Sequence, residues 1–205
     1  MSERVQDSTA QWPVESSTEL LSSRLITVRS DKVGMPGNHW AERDVVEHPG
    51  AVAILALDDA ERVLMIRQYR HPVGRLLWEI PAGLRDVPGE DLLVTARREL
   101  LEEAGYEASQ WHVLVDYFTS PGFSTERLRI FLARGVKEVP EEERTYVRED
   151  EEADMARTWL PLQEAVRRVQ AGDLHNGVAA MGILAVYAAR LSGFEGLRPP
   201  DAPET

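Results

Sequence analysis

The sequence predicts an α/β fold, a mixed β-sheet layered with helices, with a small antiparallel β-sheet region on its N-terminal side. Three observations carry this reading. Residues 51–57 are a continuous apolar run, as expected of a buried strand. Leu92, Leu93, Ala96, Leu100 and Ala104 recur at three- and four-residue spacing, which marks a helix with one apolar stripe. Strand-like stretches lie on both sides of that helix and two further helical stretches follow, an interleaving that suggests helices packed on a sheet.

Taken in order, residues 1–17 are polar, unpatterned and expected to fray. Residues 20–28 alternate weakly as a strand, Met35-Pro36-Gly37-Asn38 reads as a turn, and residues 40–47 read as a returning strand. Residues 18–48 are therefore expected to form a small sheet. Two or three strands are marginal alone in water, so this piece must pack on the main domain or on a second subunit.

The main domain is expected over residues 49–193. After the run at 51–57, Asp58-Asp59-Ala60-Glu61 is a turn and residues 63–69 a strand, with Arg70-His71 directly behind it. Residues 78–83 are a short apolar run ending in a turn, and residues 85–89 a loop punctuated by Pro88-Gly89. The helix starts at Glu90 or Asp91, and Gly105 falls where a helix takes a left-handed C′ residue. Residues 111–117 and 128–133 read as strands around Ser120-Pro121-Gly122-Phe123-Ser124. Residues 138–154 are strongly acidic without a period, and long structureless loops inside compact domains are functional or disordered. A last strand is expected at 158–160, with helices at 162–171 and 178–191. The Pro-rich end, residues 194–205, is expected to be a flexible tail.

Composition narrows the function. The chain has 205 residues, 43% of them apolar, which suits one domain of ordinary size plus an appendage. A net charge of −12 disfavours sequence-independent nucleic-acid binding. There is no cysteine, which excludes disulfides, zinc–thiolate sites and thiol catalysis. No run approaches the ~18 apolar residues of a membrane span, and no signal pattern opens the chain, so a cytoplasmic protein is expected. Phosphate-binding and nucleophile-elbow glycine motifs are absent, and the five histidines offer no pair at helical ligand spacing.

The chemistry concentrates in the first helix. At about 100° per residue, Glu99, Glu102 and Glu103 share one arc beside the apolar stripe. Such like charges repel, so the helix either presents them to solvent or collects hard cations, which favour carboxylate oxygens. Arg98 stands four residues before Glu102 and can hold it by a charged hydrogen bond.

The full spacing decides between these. Gly83, Glu90, Arg98-Glu99, Glu102-Glu103 and Gly105-Tyr106 resemble the Nudix box. One departure stands out: six residues, 84–89, separate Gly83 from Glu90 where the family has five. They fall in the loop, where an insertion leaves the helix register intact. The flanks Arg67-Gln68-Tyr69-Arg70, Trp78-Glu79-Ile80-Pro81-Ala82-Gly83, residues 120–126 and Glu151-Glu152-Ala153-Asp154 are similar to the ADP-ribose pyrophosphatase branch. The loop insertion resembles its actinobacterial members.

That resemblance implies a Nudix α/β/α sandwich with a mixed β-sheet. It also implies hydrolysis of ADP-ribose to AMP and ribose 5-phosphate with Mg²⁺, or Mn²⁺ in its place. By the same resemblance the Ala82 carbonyl, Glu99 and Glu103 are metal ligands, Glu102 supports a further ion, and Glu152 completes the set as ligand and general base. Arg43 and Arg70 match arginines that hold the nucleotide, Gly83 lies at the substrate side of the box, and Glu126 matches a residue near the terminal ribose. The branch also implies a homodimer that exchanges its N-terminal sheets. Neither nucleic acid nor membrane is an expected partner. A Nudix hydrolase of another ADP-sugar or of an oxidised dNTP, and a non-catalytic ADP-ribose sensor, are the alternatives; intact box carboxylates disfavour the sensor.

Overall fold

The computed structural model describes residues 5–144 and 155–204. It divides into two compact units, Met1–Pro49 with Thr119–Glu126, and Gly50–Phe118 with Arg127–Thr205.

In the first unit β1 (Val14–Ser22), β2 (Thr27–Met35) and β3 (His39–Glu47) form an antiparallel sheet in that order. Two expectations are corrected. β1 starts at Val14, inside the stretch expected to fray; it is exposed throughout, so no apolar alternation marks it in the sequence. The strand expected over residues 20–28 is broken by a turn at 23–26. There the Ser23 hydroxyl donates to the Ile26 carbonyl at 3.0 Å and accepts from the Ile26 N–H at 3.1 Å. A serine that closes its own local turn competes with strand continuation. Residues 119–126 belong to this unit rather than to the main domain: Val46 N–H donates to Phe123 O at 2.7 Å and Thr125 N–H to Val46 O at 3.0 Å. Asp31 is the buried residue of the three strands, and it is charged. Hydrogen bonds from Ser17 and Arg29 hold its carboxyl below the usual range against the cost of burial.

The second unit carries, in chain order, β4 (Ala51–Ala56), β5 (Arg62–Arg70), β6 (Arg75–Glu79), β7 (Ala82–Leu84), α1 (Leu92–Glu99), β8 (Tyr106–Phe118), β9 (Arg127–Glu138), β10 (Ala156–Pro161), α2 (Leu162–Ala171) and α3 (Gly177–Leu191). A mixed sheet runs β7-β4-β9-β8, with β4 and β9 parallel, and a smaller antiparallel sheet runs β10-β5-β6. β4 is buried along its whole length. Its Ala53 and Leu55 pack with Leu162, Ala165, Ile183 and Val186 of α2 and α3. Its Val52 and Ile54 pack on the opposite side with Ala96, Leu100 and Ala104. At roughly 1.5–3 kcal/mol for each fully buried aliphatic side chain, this strand holds the layers together. Gly182 lets α3 approach closely, since a β-carbon there would stand 3.1 Å from both Ile80 Cδ1 and Leu55 Cδ1. Among the described residues no helix is long and apolar enough to cross a membrane.

The C-terminal segment, expected to be loose, is fastened instead. Val113 N–H donates to Arg198 O at 3.0 Å. Arg129 grips Asp116 with two bonds of 2.7 and 2.9 Å and donates to Ala202 O at 2.7 Å. Arg198 reaches the same Asp116 at 2.9 Å, and Arg85 reaches Glu204 at 3.1 Å. Proline content says nothing of such polar anchors, so composition misleads here. Burial alone would push the Asp116 carboxyl up, but the hydrogen bonds and charges of Arg129 and Arg198 outweigh it and hold the group below its ordinary value.

A carboxyl depressed in this way stabilises the fold above its unfolded value near 3.8, and that stability is lost as the pH falls toward the folded value. Asp116→Asn should therefore destabilise the protein by about 2–4 kcal/mol at pH 7, because Arg129 is left buried without its counter-charge. Denaturant melts of both proteins across pH should show the gap narrowing below about pH 4. A gap that does not change with pH would contradict the assignment.

Candidate active site

The box helix is prepared at both ends. Asp91 caps α1 by accepting Leu93 N–H at 2.8 Å, and Glu90 accepts the Thr95 hydroxyl at 2.7 Å. The helix does not run in one winding to Gly105, as its spacing suggests. After Glu99 the turn Leu100–Ala104 is π-wound, and Glu102 and Glu103 lie within it. Single π turns are frequent at functional sites. Gly105 then takes φ 75°, the left-handed stop that was expected. A side chain there would also strike the Arg144 guanidinium, whose carbon would be 2.7 Å from the β-carbon.

Two residues of β7 receive this helix. Ala82 N–H donates to Glu103 Oε2 at 2.8 Å. Gly83 lies directly against Glu99, where a β-carbon would stand 2.1 Å from the carboxyl carbon. The glycine is thus required by close approach, not by a left-handed backbone. Glu99 and Glu103 are 9% and 7% exposed, burial that carboxylates tolerate only with dedicated partners.

Arg98 is a central partner. Its Nη1 reaches Glu99 Oε1 at 2.7 Å and Glu102 Oε2 at 3.0 Å, and its Nη2 lies 3.6 Å from Glu90. Burial works against the guanidinium charge, but Glu99, Glu102 and Glu90 around it prevail and raise its pKa. This one cation offsets part of the repulsion expected among the glutamates, that between Glu99 and Glu102, while Glu103 is held by a backbone donor. The extra loop residue leaves the register of the helix against Gly83 undisturbed.

The other predicted residues are placed as follows. Arg70 makes a two-pronged pair with the buried Glu79, at 2.9 and 2.7 Å. In the first unit, Arg43 donates to Glu42 O at 2.8 Å, and Glu126 accepts from Thr119 and stands 3.7 Å from His48 Nδ1. Glu152 and Glu151 lie outside the described residues. Sequence reasoning missed Glu79, Thr95 and Arg157. Glu79 had a visible signal, a lone charge inside an apolar run. Thr95 had none, and neither did Arg157, which donates to Ala104 O in the π turn.

The donor chemistry suits a hard divalent cation. Two nearly buried carboxylates meet consecutive residues of one strand, and all of the oxygens concerned are hard donors. Among the described residues, no three acidic or histidine side chains lie where they could share one ion, so a further donor must complete any such set.

Gly83→Ala should destabilise the protein by about 1–3 kcal/mol through overpacking against Glu99. Gly122→Ala, whose β-carbon would meet nothing within 4 Å, should be neutral within about 0.5 kcal/mol. Urea denaturation of the two variants checks the contrast.

The NUDIX domain model matches residues 47–180. Over 186 residues the chain is 50% identical to an ADP-ribose pyrophosphatase of Mycobacterium tuberculosis (strain ATCC 25618 / H37Rv), covering 91% of this chain and 87% of the relative. It is 34% identical to an ADP-ribose pyrophosphatase of Bacillus subtilis (strain 168), over 80% of this chain and 86% of that one. A solved structure described as an ADP compounds hydrolase superposes with a TM-score of 0.73 over 93% of this chain and 99% of its own, at 21% identity, and supports the fold. With Glu99 and Glu103 of the box set against Gly83 and Ala82, the chain belongs to the NUDIX domain family and is a hydrolase.

Proposed function

We propose that this hydrolase cleaves the diphosphate of ADP-ribose, adding water across the anhydride to give AMP and ribose 5-phosphate. The observation that carries the substrate is the half-identity, along nearly the whole chain, to a relative named for this activity. The carboxylate arrangement on Ala82 and Gly83 supports the reaction type.

Nudix hydrolases generally use a divalent metal, and Mg²⁺, with Mn²⁺ as substitute, is the proposed cation. Glu99, Glu103 and the Ala82 carbonyl would hold it, with Glu152 completing the set and Glu102 supporting a further ion. When bound it neutralises the diphosphate and activates the attacking water. The protein's own part is positioning. Arg98 holds Glu99 and Glu102 in place, and Ala82 N–H does the same for Glu103. Glu152 is the proposed proton acceptor, with Glu151 the runner-up. Arg70, set by Glu79, and Arg43 are proposed to bind the nucleotide, Gly83 to lie at the substrate side of the box, and Glu126 to contact the terminal ribose. The proposed setting is the cytoplasm.

Turnover of ADP-ribose, ADP-glucose, NADH, diadenosine polyphosphates and 8-oxo-dGTP with Mg²⁺ tests the substrate. Highest kcat/KM for ADP-ribose is expected; preference for another compound would replace the substrate, and no turnover of any would favour a sensor. Glu103→Gln and Glu152→Gln should each lower kcat by ~10²–10⁴ with folding little changed. Loss of activity in Glu151→Gln rather than Glu152→Gln would move the base by one residue.

A homodimer built through the N-terminal sheet is the proposed assembly. The motive is a three-stranded sheet without an apolar core, whose Leu20 and Leu21 are more than half exposed. Sedimentation at micromolar concentration should give twice the chain mass, and an active monomer would contradict this.

A further inference from the structure

The residues that receive the catalytic carboxylates sit on the weakest strand of the mixed sheet. β7 has three residues and lies at the sheet edge, paired only with β4 in that sheet through Ala51–Leu84, Val52–Gly83 and Ala53–Ala82. A strand so short has little to fix its register, and side chains alternate in direction at every residue. Yet Ala82 and Gly83 must stand where Glu103 and Glu99 meet them. The strand is tied at both ends. On one side Ile54 N–H donates to Pro81 O at 2.8 Å. On the other, Arg85 N–H donates to Gly50 O at 3.1 Å, and the Arg85 side chain runs on to Glu204.

Register explains why Arg85 can reach that far. Leu84, Ala51 and Leu128 are cross-strand partners, so Arg85 and Gly50, just past the ends of β7 and β4, follow next to Arg127, the first residue of β9. The middle residue is glycine with φ 88°, and a β-carbon on it would meet Arg127 O at 2.8 Å and Arg85 Cδ at 3.3 Å. The Arg85 side chain therefore passes over a residue that has none. Glu204 Oε1 takes Arg85 Nη1 at 3.1 Å and lies 3.6 Å from Arg127 Nε. Glu204 is itself held, since Ala202 O accepts from Arg129 and Arg198 pairs with Asp116. All of these residues belong to one compact unit.

We infer that the C-terminal segment is a positioning element of the active site: Glu204, through Arg85, fixes the end of β7 and so the placement of Gly83 and Ala82 under Glu99 and Glu103. Arg85 and Glu204 are positioning residues and touch no reacting atom. A misplacement of the order of 1 Å in a site of this kind can cost up to about a hundredfold in rate, so a surface ion pair can matter here beyond its own stability. As a contributor to stability alone, a part-exposed pair of this kind is worth little.

The inference rests on the proposed hydrolase reading for its kinetic arm only. Glu204→Gln, Arg85→Gln and the double variant of the full chain are compared with the wild type. In the substrate-free protein, exchange of the amide at position 85, which donates to Gly50 O, should speed up by roughly tenfold in each single variant, while α3 amides keep their rates. With ADP-ribose and Mg²⁺, kcat should fall about five- to fiftyfold with KM nearly kept, and the double variant should be no worse than the poorer single one. Glu204→Asp should recover part of the loss, because charge is retained with a shorter reach. Unchanged exchange at Arg85 would overturn the inference. So would faster exchange with kcat within twofold of the wild type, which would make the segment an anchor with no bearing on the site. If the wild type fails to turn over ADP-ribose, the proposed substrate fails, while loss of protection at position 85 still supports the tie.

Discussion

Gly83 has no side chain, and Glu99 lies where one would be, with its carboxyl carbon 2.1 Å from the place of the missing β-carbon. One residue earlier, the Ala82 N–H is committed to Glu103. These two contacts between an edge strand and a helix define the site, and much of the second unit serves to maintain them. β4 supplies β7 with its only partner in the mixed sheet and packs Ile54 and Val52 onto the helix that carries the glutamates. The loop between them can accept an extra residue because neither contact runs through it.

Electrostatics set the second constraint. Glu90, Glu99 and Glu102 surround Arg98, and Glu103 stands apart on a backbone donor. The arrangement is tolerable without further ligands, since each buried carboxylate has a hydrogen-bond donor, yet it remains rich in negative charge. A diphosphate approaching it meets repulsion that Arg98, already committed to its neighbours, cannot remove. This surplus of negative charge, independent of likeness to any relative, is why a cation belongs in the proposed reaction.

Much of the fold was legible because apolar periodicity reports burial directly. The continuous run at 51–57, the stripe at 92–104 and the helix at 162–171 all became elements of the two-sided core. The box was legible through spacing, since Glu99, Glu102 and Glu103 keep their intervals along the helix and the one departure, between Gly83 and Glu90, falls in the loop. What escaped were elements held by polar groups. β1 is exposed on all sides and left no pattern, the turn at 23–26 depends on one serine hydroxyl, and the C-terminal segment is fastened by Asp116, Arg129 and Arg198. Hydrophobic patterns cannot report an ion pair whose partners lie 82 residues apart, as Asp116 and Arg198 do.

The two units also differ in what stabilises them. In the second, fully buried aliphatic side chains on both faces of β4 provide a core of the ordinary kind. In the first, ion pairs of Arg29 with the one buried aspartate, Asp31 of its own strand, and with Glu47 across on β3 stand in place of one. Exposed ion pairs contribute about 0–1 kcal/mol each and cannot replace a core. A buried carboxylate adds nothing unless its partners are kept in place. Such a sheet is either covered by something else or only marginally stable, and an element of that kind persists where its surface is used. Arg43 and Glu126, the proposed contacts to the nucleotide and the terminal ribose, both belong to this unit, and the proposed function would give the sheet a role that its own packing does not explain.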